Sequence, residues 1–114
     1  AVNVEHACHY CVPAHTGIAK SMKVRDDLIE ELRNDETLSD SKLNTLKETV
    51  LALTRGRGNV DNAQLDAFYS AGYKHQQLLE IILILAQKVM SNYTNHLADT
   101  PVDEPFKKFD WSPK

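Results

Sequence analysis

The chain has 114 residues, of which 42% are hydrophobic and 25% charged, with a formal net charge of −3. That length supports one domain with a modest core, and the composition is that of an ordinary globular protein. The slight acidity argues against nucleic acid or an anionic membrane surface as partner, and the longest unbroken apolar run, Ile81 to Ala86, is far short of a membrane span.

Residues 1 to 7 read as the end of a helix or a connection into the next one. A helix is predicted from about His9 to Lys23, and Pro13 fits only in its first turn, where its missing N–H costs little. Val24, Leu28, Ile29 and Leu32 then make a narrow apolar stripe between acids, the mark of a short amphipathic helix. Residues Asn34 to Thr37 read as a loop. Ser39 or Asp40 can cap a third helix with Leu43, Leu46, Val50 and Leu53 on its buried face. Arg55-Gly56-Arg57-Gly58 ends it through glycine. Asp61 caps a fourth helix, with Leu65, Phe68 and Tyr69 inward and Gly72 closing it. The fifth runs from about Lys74 to Ala98. Leu78, Leu79 and the run from Ile81 to Ala86 make it apolar around nearly its whole circumference. Such a helix must be buried on more than one side, and one small domain has little interior for that, so a subunit interface is expected. The tail from Asp99 to Lys114 holds three prolines and no helical period. Its Phe106, Phe109 and Trp111 predict that it docks on the domain or on a neighbouring subunit. No strand pattern or repeat is present. The expected architecture is all-α and obligately oligomeric, a helical domain over residues 1–98 followed by the tail 99–114.

The stretch from His6 to Thr16 holds both cysteines and three of the five histidines. Read as helix, Cys8, Cys11 and His15 stand at i, i+3 and i+7 and share one face. Cys11 and His15 form an i, i+4 pair, close enough for the imidazole to approach sulfur. A helix N-terminus favours thiolate, and Glu5 is the only acid among the first 24 residues. Two thiols and a base on one stripe can do redox chemistry or hold a metal. A zinc set would be Cys8, Cys11 and His15 with His6 or His9 as fourth ligand. Structural zinc normally cross-links separated segments, however, and a site within one turn staples nothing. Two reduced cysteines packed in a core are the third reading. The redox reading is favoured, and it needs no bound metal or cofactor. With one C-x-x-C and no basic-then-apolar leader, the expectation is a cytoplasmic thiol site.

The remaining polar candidates have plainer readings. Tyr10 can donate a hydrogen bond near the site or simply pack. His6 and His9 read as polar residues at a helix start, and His75 as a surface residue. Asn92, Asn95 and His96 form a polar face on the apolar fifth helix, read as a satisfied cluster or a solvated helix end. Arg55 and Arg57 read as a solvated turn rather than an anion site.

The run Cys8-His9-Tyr10-Cys11-Val12-Pro13-Ala14-His15-Thr16 resembles the active-site motif of the carboxymuconolactone decarboxylase superfamily, on its alkylhydroperoxidase D-like branch. Phe68-Tyr69-Ser70-Ala71-Gly72-Tyr73, the helix from Gln77, and Ser91-Asn92-Tyr93-Thr94-Asn95-His96 resemble its subgroup of peroxidase-related proteins. The resemblance thus covers nearly the whole chain. It implies an all-helical homo-oligomer, whether dimer, trimer or hexamer, and a peroxidase whose cysteines cycle between dithiol and disulfide. Under it, Cys11 matches the peroxide-attacking cysteine, Cys8 the resolving one and His15 the proton-relay histidine. Tyr10, His9, Glu5 and His96 are candidate supporting residues. The implied partners are a hydroperoxide and an external dithiol reductant or adaptor protein. Two positions depart from the better-studied members. Tyr10 stands where they carry a histidine, and their relay glutamate would fall before Ala1, so Glu5 does not match it. Decarboxylase members lack the cysteine pair, so lactone decarboxylation is not expected. The rival readings are a thiol–disulfide oxidoreductase with no peroxide step and a non-catalytic oligomeric module that senses redox state.

Overall fold

The computed structural model describes residues 1–114, and it is helical throughout, with no strand. The elements are α1 (Val2–Glu5), α2 (Cys11–Ser21), α3 (Asp26–Arg33), α4 (Ser41–Arg55), α5 (Asn62–Ser70), α6 (His75–Ala98) and a terminal 3₁₀ helix (Glu104–Phe109). No helix is long and apolar enough to cross a membrane.

Local chemistry sets the boundaries. The Asp40 carboxylate accepts from the Leu43 amide at 3.0 Å and Asp61 from the Gln64 amide at 2.8 Å, two N-caps of the kind the sequence shows. At the end of α4, Gly56 has an ordinary helical φ of −83°. It is needed for a different reason: a Cβ there would collide with the Asn59 carbonyl oxygen. The left-handed positions of that turn are Arg57 and Gly58.

The structure corrects three expectations. Ala7 adopts a left-handed φ of 51°, which breaks the path from α1 into α2. The second helix therefore begins at Cys11 rather than near His9, and Cys8 stands in the turn before it. The three-residue stripe on one helical face is accordingly not formed. Val24 lies outside α3, which starts at Asp26. The tail, in which no helical period is visible, forms the 3₁₀ helix, with Pro105 among its first residues.

The core centres on Leu53 of α4, Phe68 of α5 and Ile81 of α6, with Leu46, Val50, Val60, Tyr69, Tyr73 and Leu78 packed around them. The Phe68 ring stacks on Tyr73 with centroids 4.8 Å apart. Lys47 is buried on α4. Its ammonium pairs with Asp35 at 2.8 Å and donates to the Glu36 carbonyl at 2.8 Å, which pins the loop after α3 onto α4.

The tail packs along α2. Gly17 leaves a slot for it, since a Cβ at that position would lie 2.7 Å from Phe106 Cδ1. Arg33 donates to the Phe109 and Asp110 carbonyls, and the Trp111 indole N–H donates back to the Arg33 carbonyl at 2.9 Å. On α6 only Ile81 and Asn92 are buried. Leu79, Leu83, Ile84 and Leu97 are 67%, 72%, 53% and 91% exposed in the single chain, so its own fold does not cover the apolar circumference of this helix.

Candidate redox site

The turn between α1 and α2 brings the two cysteines together. The Cys8 amide donates to the Asn3 carbonyl at 2.9 Å, and the Val12 amide donates to the Cys8 carbonyl at 3.1 Å. These bonds fix Cys8 beside the first residue of α2. Cys8 and Cys11 are joined as a disulfide with Cα atoms 5.2 Å apart. Their exposures are 0% and 1%.

Each sulfur has a donor of its own. The Cys11 backbone N–H points at Cys8 Sγ, 3.1 Å away. Asn95 Nδ2 donates to Cys11 Sγ at 3.4 Å, and Ser91 Oγ lies 3.8 Å from the same sulfur. Both side chains come from α6, one turn apart. Hydrogen bonds to sulfur favour its anionic form, whereas burial opposes it.

His15 is not at the sulfur. Its Nδ1–H donates to the Cys11 carbonyl at 2.9 Å, and Nε2 accepts from the Lys88 ammonium. The i, i+4 spacing brings the ring to Cys11 as expected, but the carbonyl oxygen is a stronger acceptor than sulfur and takes the N–H. Desolvation first, and the Lys88 charge second, lower the pKa of His15 below the ordinary imidazole value. Desolvation lowers the Lys88 pKa too. A neutral imidazole with its proton on Nδ1 satisfies both contacts.

The supporting candidates are placed as follows. The Tyr10 hydroxyl donates to Asp103 at 2.6 Å, a bond that raises its pKa, and the His9 Nε2–H donates to the Thr100 carbonyl at 2.9 Å. Both residues between the cysteines are thus held by the tail. Glu5 makes a bidentate pair with Arg55 at 2.9 and 2.7 Å, which ties α1 to the end of α4 and occupies the arginine. His96 donates to the Ala7 carbonyl at 3.3 Å, in the turn that carries Cys8. The His6 Nδ1–H donates to Asn92 Oδ1 at 3.0 Å, and Asn92 in turn donates to Asn3 at 2.9 Å. His75 contacts the Tyr69 hydroxyl. The rings of His6, His9 and His15 are each bonded elsewhere, and no three His, Cys, Asp or Glu side chains gather in a geometry that would hold a metal ion.

Sequence reasoning did not connect Ser91 and Asn95 to Cys11, or Lys88 to His15. The signal was present: Lys88, Ser91, Asn92 and Asn95 stand at i, i+3, i+4 and i+7, one polar stripe on an apolar helix. Set against known families and curated proteins, the chain matches no family model and no curated sequence.

Proposed function

We propose that the protein is a thiol-dependent peroxidase working through Cys8 and Cys11. The observation that carries this reading is the cysteine pair at disulfide distance, with Asn95 and Ser91 of α6 at the Cys11 sulfur. The resemblance of the cysteine motif to the alkylhydroperoxidase D-like branch supports the same chemistry. The Cys11 thiolate attacks the terminal oxygen of a hydroperoxide. The O–O bond breaks, the leaving alkoxide takes a proton, and Cys11 becomes a sulfenic acid. The Cys8 thiol then displaces hydroxide, which leaves as water, and the disulfide forms. An external dithiol reduces it by exchange and is itself oxidised. Cys11 opens α2, where the helix dipole favours thiolate. Ser91 Oγ, 3.8 Å from the Cys11 sulfur, can donate a hydrogen bond to the thiolate. For His15 to act as the base, its Nε2 must first leave Lys88 and the ring must turn from the Cys11 carbonyl toward the sulfur.

Peroxide loss measured with and without dithiothreitol tests the reading. Reduced protein is expected to consume about one equivalent of tert-butyl hydroperoxide alone and to turn over continuously with the dithiol. Oxidation of dithiothreitol with a disulfide substrate but no peroxide loss would identify the thiol–disulfide oxidoreductase instead. Inertness in both assays would leave the redox-sensing module.

The proposal includes a homo-oligomer assembled through α6, supported by the exposed Leu79, Leu83 and Leu97. Several such side chains in water form a patch prone to association, and a self-complementary two-fold contact is the commonest remedy. Light scattering is expected to give a mass that is a multiple of 12.9 kDa. A monodisperse monomer at micromolar concentration would remove this part of the proposal.

A further inference from the structure

We propose that the cleft walled by α1, α2, α3 and α6 binds an aliphatic monocarboxylate, its carboxylate on Lys88. The cavity measures about 450 Å³, and 12 of its 17 lining residues are hydrophobic. That volume falls within the roughly 300–1,000 Å³ of ordinary small-molecule sites. Val12 and Ile29 are buried in its wall, whereas Ile18, Met22 and Ile84 are 44%, 72% and 53% exposed.

Charge decides what the cleft accepts. No Asp or Glu lines it. Arg33 does, but its guanidinium is spent on Thr16 and on the Phe109 and Asp110 carbonyls. Lys88 is different. Its one hydrogen-bond partner is the neutral His15 Nε2, and no carboxylate pairs with it. An ammonium with donors to spare at an apolar wall is matched by a single carboxylate. An uncharged hydrocarbon would leave Lys88 uncompensated, and a dicarboxylate would desolvate a second anion against apolar side chains. Neither cysteine lines the cleft, so the site stands whether or not the redox reading does.

Calorimetric titration of the whole protein with octanoate and with 1-octanol tests the proposal. Octanoate is expected to bind one to one and at least about tenfold more tightly than the alcohol, the worth of one charge-assisted hydrogen bond. From butanoate through hexanoate to octanoate, affinity is expected to rise about fourfold per methylene. Lys88→Met keeps an apolar stem of similar length, so it is expected to leave 1-octanol binding unchanged and to bring octanoate down to it. Ala19→Phe, on the cleft wall, is expected to block both ligands while the circular dichroism spectrum and melting profile stay those of a folded protein. Equal affinity for acid and alcohol, or octanoate binding unaffected by Lys88→Met, overturns the carboxylate assignment. Absence of saturable binding by either ligand overturns the site.

Discussion

Replacing Cys11 by serine is expected to abolish dithiol-dependent peroxide turnover, with a loss of at least about 10³-fold in rate. A serine hydroxyl in the same position keeps the size and the Asn95 contact but cannot ionise near neutral pH, so no anion is available to attack the O–O bond. Cys8→Ser is expected to behave differently. Its Cys11 still reacts once, and with no neighbouring thiol to condense with, the product carries one added oxygen that mass spectrometry detects. The contrast between the variants is the informative measurement. The Cys8 sulfur also has a donor, the Cys11 N–H at 3.1 Å. A chain in which Cys8→Ser loses the first turnover and Cys11→Ser retains it would reverse the roles of the two residues. Wild-type turnover in both single variants would end the reading in which this cysteine pair carries the chemistry.

Phe68→Ala is expected to destabilise the fold by about 3–5 kcal/mol. Phe68 is 0% exposed and sits where α4, α5 and α6 meet, against Leu53 and Ile81, with its ring stacked on Tyr73 and edge-on to Tyr69. Removing the ring leaves a cavity that three helices would have to collapse to fill. The aromatic contacts are lost in addition to the transfer term. Domains of this size have total stabilities of about 5–15 kcal/mol, so the variant should be near the edge of folding. Urea denaturation would show a large drop in midpoint at nearly constant slope. A loss below about 1 kcal/mol would mean that Phe68 is not the centre of the core.

The helical class and most helix positions were legible in the sequence because they depend on local chemistry. Asp40 and Asp61 cap where their side chains can reach the third amide onward. Leu53 and Phe68 fall on the inward faces that periodicity assigns them. What was not legible depends on single backbone angles or on partners far away in sequence. Nothing in the residue type announces that Ala7 turns left-handed, yet that one angle takes Cys8 off the helix. Spacing brought His15 to Cys11 but could not choose between the carbonyl and the sulfur. The tail shows no period, because a short 3₁₀ helix leaves little pattern and Gly17 supplies its docking slot from far upstream. Asn95 was visible as a polar residue on an apolar helix, but its partner is 84 positions away and a single sequence does not name it.

The two residues enclosed by the cysteines, His9 and Tyr10, are bonded to Thr100 and Asp103, at sequence separations of 91 and 93. The covalent ring is very short, so closing it removes little chain entropy on its own. Its leverage lies in ordering two side chains in advance for a contact that closes nearly the whole chain. Holding the ring shut therefore lowers the entropic cost of docking the tail, and a docked tail holds the ring shut. Linkage makes that relation reciprocal. In the proposed dithiol–disulfide cycle, release of residues 99–114 from His9 and Tyr10 would favour the dithiol by the same factor with which reduction favours release of the tail.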